Sequence, residues 1–273
     1  MRGGGDLPPG IPRDRPLLGD THAHLADPAF REDLEAVLER ARRAGLAWIL
    51  VVTEGPEEWD LALDLCRERG PFLQPALGLF PDRASPEAAE ALVRKAREHR
   101  EELAALGEVG LDFRIEGDPL GRRIQEEALL RLCALSRETD LPLSVHSRSA
   151  GRRALEVLAQ GGAEKVVMHA FDGKARYALD GAERGWCFSI PPSLVRSRQK
   201  EKLVKALPWD SLLLESDAPV LGPVPGRRNE PAFLEVTLQR IAEIKGVTPL
   251  EAARRIEENQ VRLFGPPPGR AGG

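Results

Sequence analysis

Four of the five histidines in this chain lie where short apolar segments end, and two carboxylates occupy similar positions. His22 and His24 are two residues apart, so an extended strand would place both imidazoles on the same side. The candidate metal ligands are His22, His24, Glu108, His146, His169 and Asp217. Imidazole and carboxylate groups without thiolates favour Zn²⁺, Mn²⁺ or Mg²⁺. Six such groups are enough for two divalent metal ions, with Glu108 able to bridge them.

Two divalent ions about 4 Å apart could hold the attacking and leaving oxygens of a phosphodiester and lower the pKa of a water molecule. The pattern therefore predicts a hydrolase that uses a water activated by two metals. A single histidine at a strand end is more often structural. A structural explanation of the whole set would require six coincidences at the ends of five segments. His99 lies late in a helical pattern and needs no functional explanation.

Eight short apolar segments alternate with helical patterns and would position these side chains. The predicted strands are Leu17–His22, Ala47–Thr53, Leu73–Phe80, Ala105–Gly110, Leu143–His146, Lys165–His169, Trp186–Ile190 and Leu212–Asp217. Amphipathic spacing over residues 31–44 and the pair Ser85-Pro86 predict two of the intervening helices. Eight strand–helix units in about 250 residues indicate an α/β fold of the (β/α)8 barrel type. A doubly wound open sheet is the alternative.

The composition excludes several classes of protein. The 273 residues are 42% hydrophobic and carry a net charge of −4, so no global basic field exists to hold duplex DNA. No apolar run approaches the ~20 residues of a membrane helix, and residues 1–16 contain no secretory h-region. The three cysteines are far apart, which suits a reducing compartment and an intracellular location, cytoplasmic or nuclear.

The two ends differ in composition from the rest of the chain. Residues 1–16 and 266–273 are rich in glycine, proline and arginine. Such segments bury little apolar surface, so we expect disordered tails on either side of one domain at 17–265.

Several motifs in this chain match a known family. They are DTHAHL (20–25), GEVGLD (107–112), VHSR (145–148), HAFDG (169–173), ESDAP (215–219) and RNEP (228–231). Together they resemble the TatD family of metal-dependent hydrolases over roughly residues 18–264. The resemblance implies a TIM-type barrel with an amidohydrolase-like metal site at its C-terminal mouth. It also implies a divalent-metal nuclease, with exonuclease or deoxyribonuclease activity on DNA.

The resemblance also implies a role for each ligand. His22, His24 and Asp217 would bind the first metal, and His146 and His169 the second. Glu108 would bridge the two metals, and Asp217 would also orient or deprotonate the attacking water, which makes these two carboxylates the catalytic residues. Glu215, two residues before Asp217, is either a partner that supports a ligand or half of a buried salt bridge.

Arginines that follow the strands could bind substrate phosphates. Arg148 and Arg228 are better candidates than Arg114 and Arg227, because they lie within the matched motifs. Asn229 precedes Glu230-Pro231 and has the pattern of a helix N-cap. Because few cations are available, we expect single-stranded ends to be the preferred substrate of a monomeric enzyme.

Two other functions remain open. One is a metal-dependent hydrolase of a small cyclic amide, lactone or phosphate ester, since related barrels share this metal cluster. The other is a family member with weak catalytic activity. This last hypothesis rests on Phe80, which stands where the family usually has a histidine.

Overall fold

The computed structural model describes residues 16–267, which form a barrel of eight parallel strands surrounded by helices. The strands are β1 Gly19–Ala23, β2 Trp48–Val51, β3 Leu73–Leu79, β4 Ala105–Gly110, β5 Leu143–His146, β6 Val166–Met168, β7 Cys187–Ile190 and β8 Leu212–Leu214. They are adjacent in chain order. The His24 amide donates to the Ala218 carbonyl at 2.8 Å and joins β1 to the segment after β8. The predicted (β/α)8 barrel is therefore confirmed, and the open-sheet alternative is wrong.

A helix follows every strand, and one additional helix ends the described part of the chain. The helices are α1 Leu34–Arg43, α2 Pro56–Arg69, α3 Pro86–Glu98, α4 Pro119–Thr139, α5 Gly151–Gln160, α6 Ala175–Ala182, α7 Arg198–Ala206, α8 Leu234–Lys245 and α9 Pro249–Phe264. The predicted helix start at Ser85-Pro86 is confirmed. The Ser85 side chain accepts a hydrogen bond from the Ala88 amide at the start of α3. Gly45 has φ +88°, the left-handed conformation that ends α1.

Helix α9 closes the N-terminal end of the barrel with polar side chains. Gln260 accepts a hydrogen bond from the Gly19 amide at 2.9 Å and donates to the Gly19 carbonyl at 2.7 Å. Asn259 donates to the carbonyls of Trp209 and Leu212 at 2.6 and 2.9 Å. Backbone groups at the beginnings of β1 and β8 are thereby satisfied. This end of the barrel serves stability and leaves the opposite mouth for chemistry.

Most of each predicted tail lies outside the described residues. Pro16 and Pro267, at the two ends of the described range, are both buried. The domain boundaries at 17 and 265 stay a prediction. Among the described helices, none combines the length and apolarity needed to cross a membrane. Cys66, Cys133 and Cys187 are all buried and form no disulfide.

Candidate metal centre

Three of the predicted ligands meet where β1 and β4 reach the C-terminal mouth. The Nε2 atoms of His22 and His24 lie 3.2 Å apart. Oε2 of Glu108 lies 3.5 Å from the first of these nitrogens and 3.3 Å from the second. Ligand atoms of these three residues are close enough to hold one metal ion.

The other oxygen of Glu108 faces a different pair of histidines. Its Oε1 lies 2.7 Å from Nδ1 of His146 and 3.6 Å from Nε2 of His169. These three residues form a second group that could hold a metal ion. Glu108 belongs to both groups and lies between them, which is the position a bridging carboxylate requires.

Asp217 completes the set of six. Its Oδ1 lies 3.6 Å from Nε2 of His24 and 3.8 Å from the Nε2 atoms of His22 and His169. The residue has φ +55°, a left-handed backbone conformation that costs a residue other than glycine roughly 1–2 kcal/mol. A hydrogen bond from its own amide to the His22 carbonyl, at 2.9 Å, holds this backbone in place. The loop after β8 thus aims the carboxylate at the histidine cluster.

Hydrogen bonds on their outer nitrogens orient two of the imidazoles. Nδ1 of His22 lies 2.9 Å from the Ser144 hydroxyl, and Nδ1 of His169 lies 2.8 Å from Oε2 of Glu215. Glu215 is fully buried and also accepts hydrogen bonds from the Ala170 amide and the Ser189 hydroxyl. Glu215 was expected either to support a ligand or to form a buried salt bridge. The contact with His169 does both, because Glu215 orients this imidazole and is also its buried ionic partner. In both histidines Nε2 remains directed at Glu108 and Asp217.

Asp112 is a functional candidate that the sequence analysis did not identify. Its Oδ2 accepts hydrogen bonds from Nε2 of His146 at 2.9 Å and from Nε of Arg148 at 2.8 Å. His146 is consequently held between Glu108 and Asp112. Asp112 could have been identified from the sequence by its position at the end of the GEVGLD motif, four residues after Glu108.

Burial and neighbouring charges together shift the pKa values of these groups. Burial opposes ionisation of Glu108, but His169 and His146 outweigh it and hold the pKa of this carboxyl well below its usual range. Asp217 behaves similarly: His169 and His24 outweigh its burial and lower its pKa. Burial, reinforced by His169, lowers the pKa of His22. Near neutral pH the two carboxylates are therefore ionised and the His22 ring is neutral.

The pKa of His146 is raised to about 9. Its burial favours the neutral ring, but the Glu108 and Asp112 carboxylates outweigh that effect. Positive charge is thus favoured between these carboxylates. A divalent ion can supply such charge in place of protons.

The donor set fits divalent metal ions. Glu108 is only 2% exposed and is surrounded by imidazoles, and the rings of His22 and His169 stack with their centroids 3.7 Å apart. Ring nitrogens this close, converging on two carboxylates, need a shared positive charge to be stable. The nitrogen and oxygen donors suit Zn²⁺, Mn²⁺ or Mg²⁺.

A close approach between strands positions Glu108. A Cβ atom on Gly78 in β3 would collide with the Glu108 amide, the Thr53 carbonyl and the Gly107 backbone. The Glu108 amide itself donates to the Thr53 carbonyl at 2.9 Å. Only glycine lets the backbones pack this tightly around Glu108.

The predicted phosphate-binding arginines have different surroundings. Arg148 is bound to Asp112 at the edge of the cluster, and its side chain is 49% exposed. Arg228 forms two hydrogen bonds to Asp33, at 2.6 and 2.8 Å, and donates to the Ala29 carbonyl. Arg148 therefore has an exposed side chain beside the ligands, whereas Arg228 is engaged with another carboxylate.

The prediction that Asn229 caps a helix is wrong. The N-cap of the short helix that begins at Pro231 is Glu230, and Asn229 is fully buried one residue earlier. Its Nδ2 donates to the carbonyls of Ser216 and Val220 at 2.6 and 2.7 Å. These carbonyls flank Asp217, so the side chain braces the loop after β8 instead of a helix.

Phe80 lies at the rim of the candidate site. It directly follows β3, and its half-buried ring is 4.8 Å from the ring of His146 at an interplanar angle of 61°. Phenylalanine offers this histidine an edge-to-face contact. It cannot donate a hydrogen bond or transfer a proton.

A (β/α)8 barrel with a histidine–carboxylate cluster at its C-terminal mouth defines a metal-dependent barrel hydrolase. The model of the family "TatD related DNase" matches residues 19–265. The chain therefore belongs to the TatD family of metal-dependent hydrolases, which act on ester bonds.

Individual relatives match over nearly the whole chain. Human "Deoxyribonuclease TATDN3" is 39% identical over 258 residues, which cover 90% of this chain and 94% of that protein. The "3'-5' ssDNA/RNA exonuclease TatD" of Erwinia tasmaniensis is 32% identical and covers 90% of this chain and 98% of that protein. The crystal structure of YJJV, a TatD homologue from Escherichia coli, superposes with a TM-score of 0.83 at 28% identity. The superposition covers 92% of this chain and 98% of the YJJV chain.

Proposed function

We propose that this chain is a deoxyribonuclease that hydrolyses DNA phosphodiesters, at single-stranded ends, with two divalent metal ions. The observation that carries the proposal is the position of Glu108, whose two oxygens face two different pairs of histidines. The names of the human and Erwinia relatives support DNA as substrate. The net charge of −4 favours strand ends over long duplex contacts.

The proposed ligands divide into two sets. His22, His24 and Asp217 would hold one metal, and His146 and His169 would hold the other, with Glu108 shared. Bound divalent ions neutralise charge on the phosphate oxygens and lower the pKa of a nearby water. The donor types allow Zn²⁺, Mn²⁺ or Mg²⁺.

Asp217 is the proposed general base. Its lowered pKa keeps the carboxylate ionised near neutral pH, so it can accept a hydrogen bond from the attacking water and then its proton. The left-handed backbone and the contacts of Asn229 fix where this carboxylate points. Glu215 contributes by holding the ring of His169 in one orientation.

Arg148 is the proposed contact to a substrate phosphate. Its guanidinium group is half exposed beside His146 and keeps donors available while Nε is bound to Asp112. Arg228 can serve the same purpose only after leaving Asp33. Because one chain supplies all six proposed ligands, we propose that the enzyme acts as a monomer. The unpaired cysteines suit the reducing environment of the cytosol or nucleus.

The test compares end-labelled DNA and RNA strands of one sequence, single-stranded and duplex, with Mg²⁺, Mn²⁺ or Zn²⁺. We expect stepwise shortening of single-stranded DNA from one end, faster than that of the duplex. Hydrolysis of a cyclic amide or lactone without cleavage of any nucleic acid would contradict the proposal.

A further inference from the structure

A groove beside the metal centre runs over helices α5 and α6. It consists of two adjoining cavities of about 500 and 540 Å³, which share Arg152, Glu156 and Tyr177 along their walls. Tyr177 is the only tyrosine in the chain. The cationic residues along this α5–α6 groove include Arg152, Lys174, Arg176 and Arg184.

The α5–α6 groove begins at the edge of the candidate active site. Its first cavity is lined by Ser149 and Asp172, which follow the proposed ligands His146 and His169 by three residues each. Both loops leave the C-terminal ends of their strands at the barrel mouth. A chain molecule with one end at the ligand cluster could therefore continue directly into the groove.

Cations surround the aromatic ring in the groove. The guanidinium carbon of Arg176 lies 4.8 Å from the ring centroid of Tyr177, and that of Arg152 lies 5.6 Å away. Arg176 also donates to the Tyr177 hydroxyl at 2.8 Å. A flat ring amid positive charge provides what single-stranded nucleic acid needs, namely a stacking surface for a base and partners for its phosphates.

Contacts within the protein already engage two of the acidic groups near this groove. Glu156 accepts hydrogen bonds from Arg152 and Arg153, at 2.8 and 3.3 Å. Asp172 accepts one from the Ser149 amide at 2.7 Å.

Lys174, Arg176 and Arg184 are exposed. Within residues 16–267, none of the three has a carboxylate within 4 Å. The groove thus offers three cations that no carboxylate of the described residues neutralises, in a protein whose net charge is −4.

We infer that the α5–α6 groove binds the part of a single-stranded nucleic acid that extends away from the metal centre. A base stacks on Tyr177, and neighbouring phosphates contact Lys174, Arg176 and Arg184. This inference rests on the proposed nuclease function and adds a second binding region to it. The groove would make affinity depend on the length of the strand.

The test measures binding without chemistry. Fluorescence anisotropy in EDTA gives the Kd of a labelled single-stranded 12-mer and of a labelled dinucleotide at several salt concentrations. We expect the wild-type chain to bind the 12-mer more tightly. In the double variant Lys174→Glu/Arg176→Glu, binding of the 12-mer should weaken at least tenfold. The slope of log K against log salt should become shallower by about 1.4, because each contact to a single strand contributes about 0.7.

The control is the double variant Arg94→Glu/Arg254→Glu, which changes the net charge equally at exposed sites on α3 and α9. Tyr177→Leu keeps an apolar side chain without an aromatic face and should weaken the 12-mer roughly fivefold or more, with the dinucleotide unaffected. The inference is overturned if both double variants weaken binding equally, or if strand length does not matter. Cleavage of the same 12-mer by the wild-type chain with metal tests the proposed function separately, since either result can fail alone.

Discussion

At the residue scale, the proposed metal centre depends most on Glu108. It is buried, it is ionised, and it contacts histidines from three other strands. Removing its charge while keeping its shape therefore tests the metal centre directly. We expect Glu108→Gln to fold but to lose more than half of the metal bound by the wild-type chain, because both proposed sites share this ligand.

Elemental analysis after dialysis, with circular dichroism to monitor folding, measures this effect. Glu101→Gln provides the control, since Glu101 is exposed and precedes the start of β4, whereas Glu108 lies near the end of that strand. Unchanged metal content in Glu108→Gln would remove the bridging role.

Phe80 offers a second test at this scale. A histidine in its place could hydrogen-bond a phosphate oxygen or move a proton, which is typically worth 10²–10⁴-fold in rate. We expect Phe80→His to leave metal content unchanged and to raise nuclease turnover, by about 10²–10⁴-fold at most. Phe80→Leu, which keeps the apolar packing against His146, should show no gain. A large loss of thermal stability in Phe80→His with no gain in rate would mean that the ring is only a packing residue.

At the scale of the elements, Gly78 links strand packing to the active site. Gly78→Ala would push β3 away from the Glu108 backbone. Overpacking of this kind typically costs about 1–3 kcal/mol. We therefore expect a lower free energy of unfolding together with a lower metal affinity, measured by urea denaturation and metal titration.

Gly117→Ala is the matched control, because a Cβ atom there would meet no atom within 4 Å. It should not lower stability and should raise it by up to about 1 kcal/mol, because alanine restricts the unfolded chain. Equal effects of the two substitutions would contradict the proposed role of the β3–β4 contact.

Local sequence patterns were sufficient to predict the strands and the positions of the metal-site candidates. The residues at the ends of β1, β4, β5, β6 and β8 could be identified because parallel strands in a barrel end at one mouth. Asp112 and Asn229 show where local patterns fail. The first acts through His146 on another strand, and the second braces the β8 loop through backbone carbonyls. The GEVGLD motif marks Asp112 without showing its partner, and nothing in the residues around Asn229 shows the carbonyls it binds, because both contacts depend on how the barrel closes.

At the scale of the whole molecule, burial protects the three cysteines. It raises the pKa of Cys66 to about 12 and that of Cys133 to about 11. The reactive thiolate is therefore almost absent at pH 8 and remains a minor species at pH 9 in the folded protein. We expect a thiol reagent to modify these two residues at least a hundredfold more slowly in the native chain than in guanidinium chloride. Rapid labelling of native protein at pH 8 would show that the barrel opens more readily than its packing suggests.

The central claim is that six residues at the barrel mouth form a two-metal centre that hydrolyses DNA. The most direct test measures cleavage of an end-labelled single-stranded oligonucleotide by the metal-stripped chain as Mn²⁺ is returned, for wild type and Asp217→Asn. The wild-type chain should become fully active only after the second equivalent of metal. Asp217→Asn, which keeps the shape of the side chain but loses its charge, should remain at least a hundredfold slower. Cleavage that is independent of added metal, or an Asp217→Asn activity within tenfold of the wild type, would contradict the account.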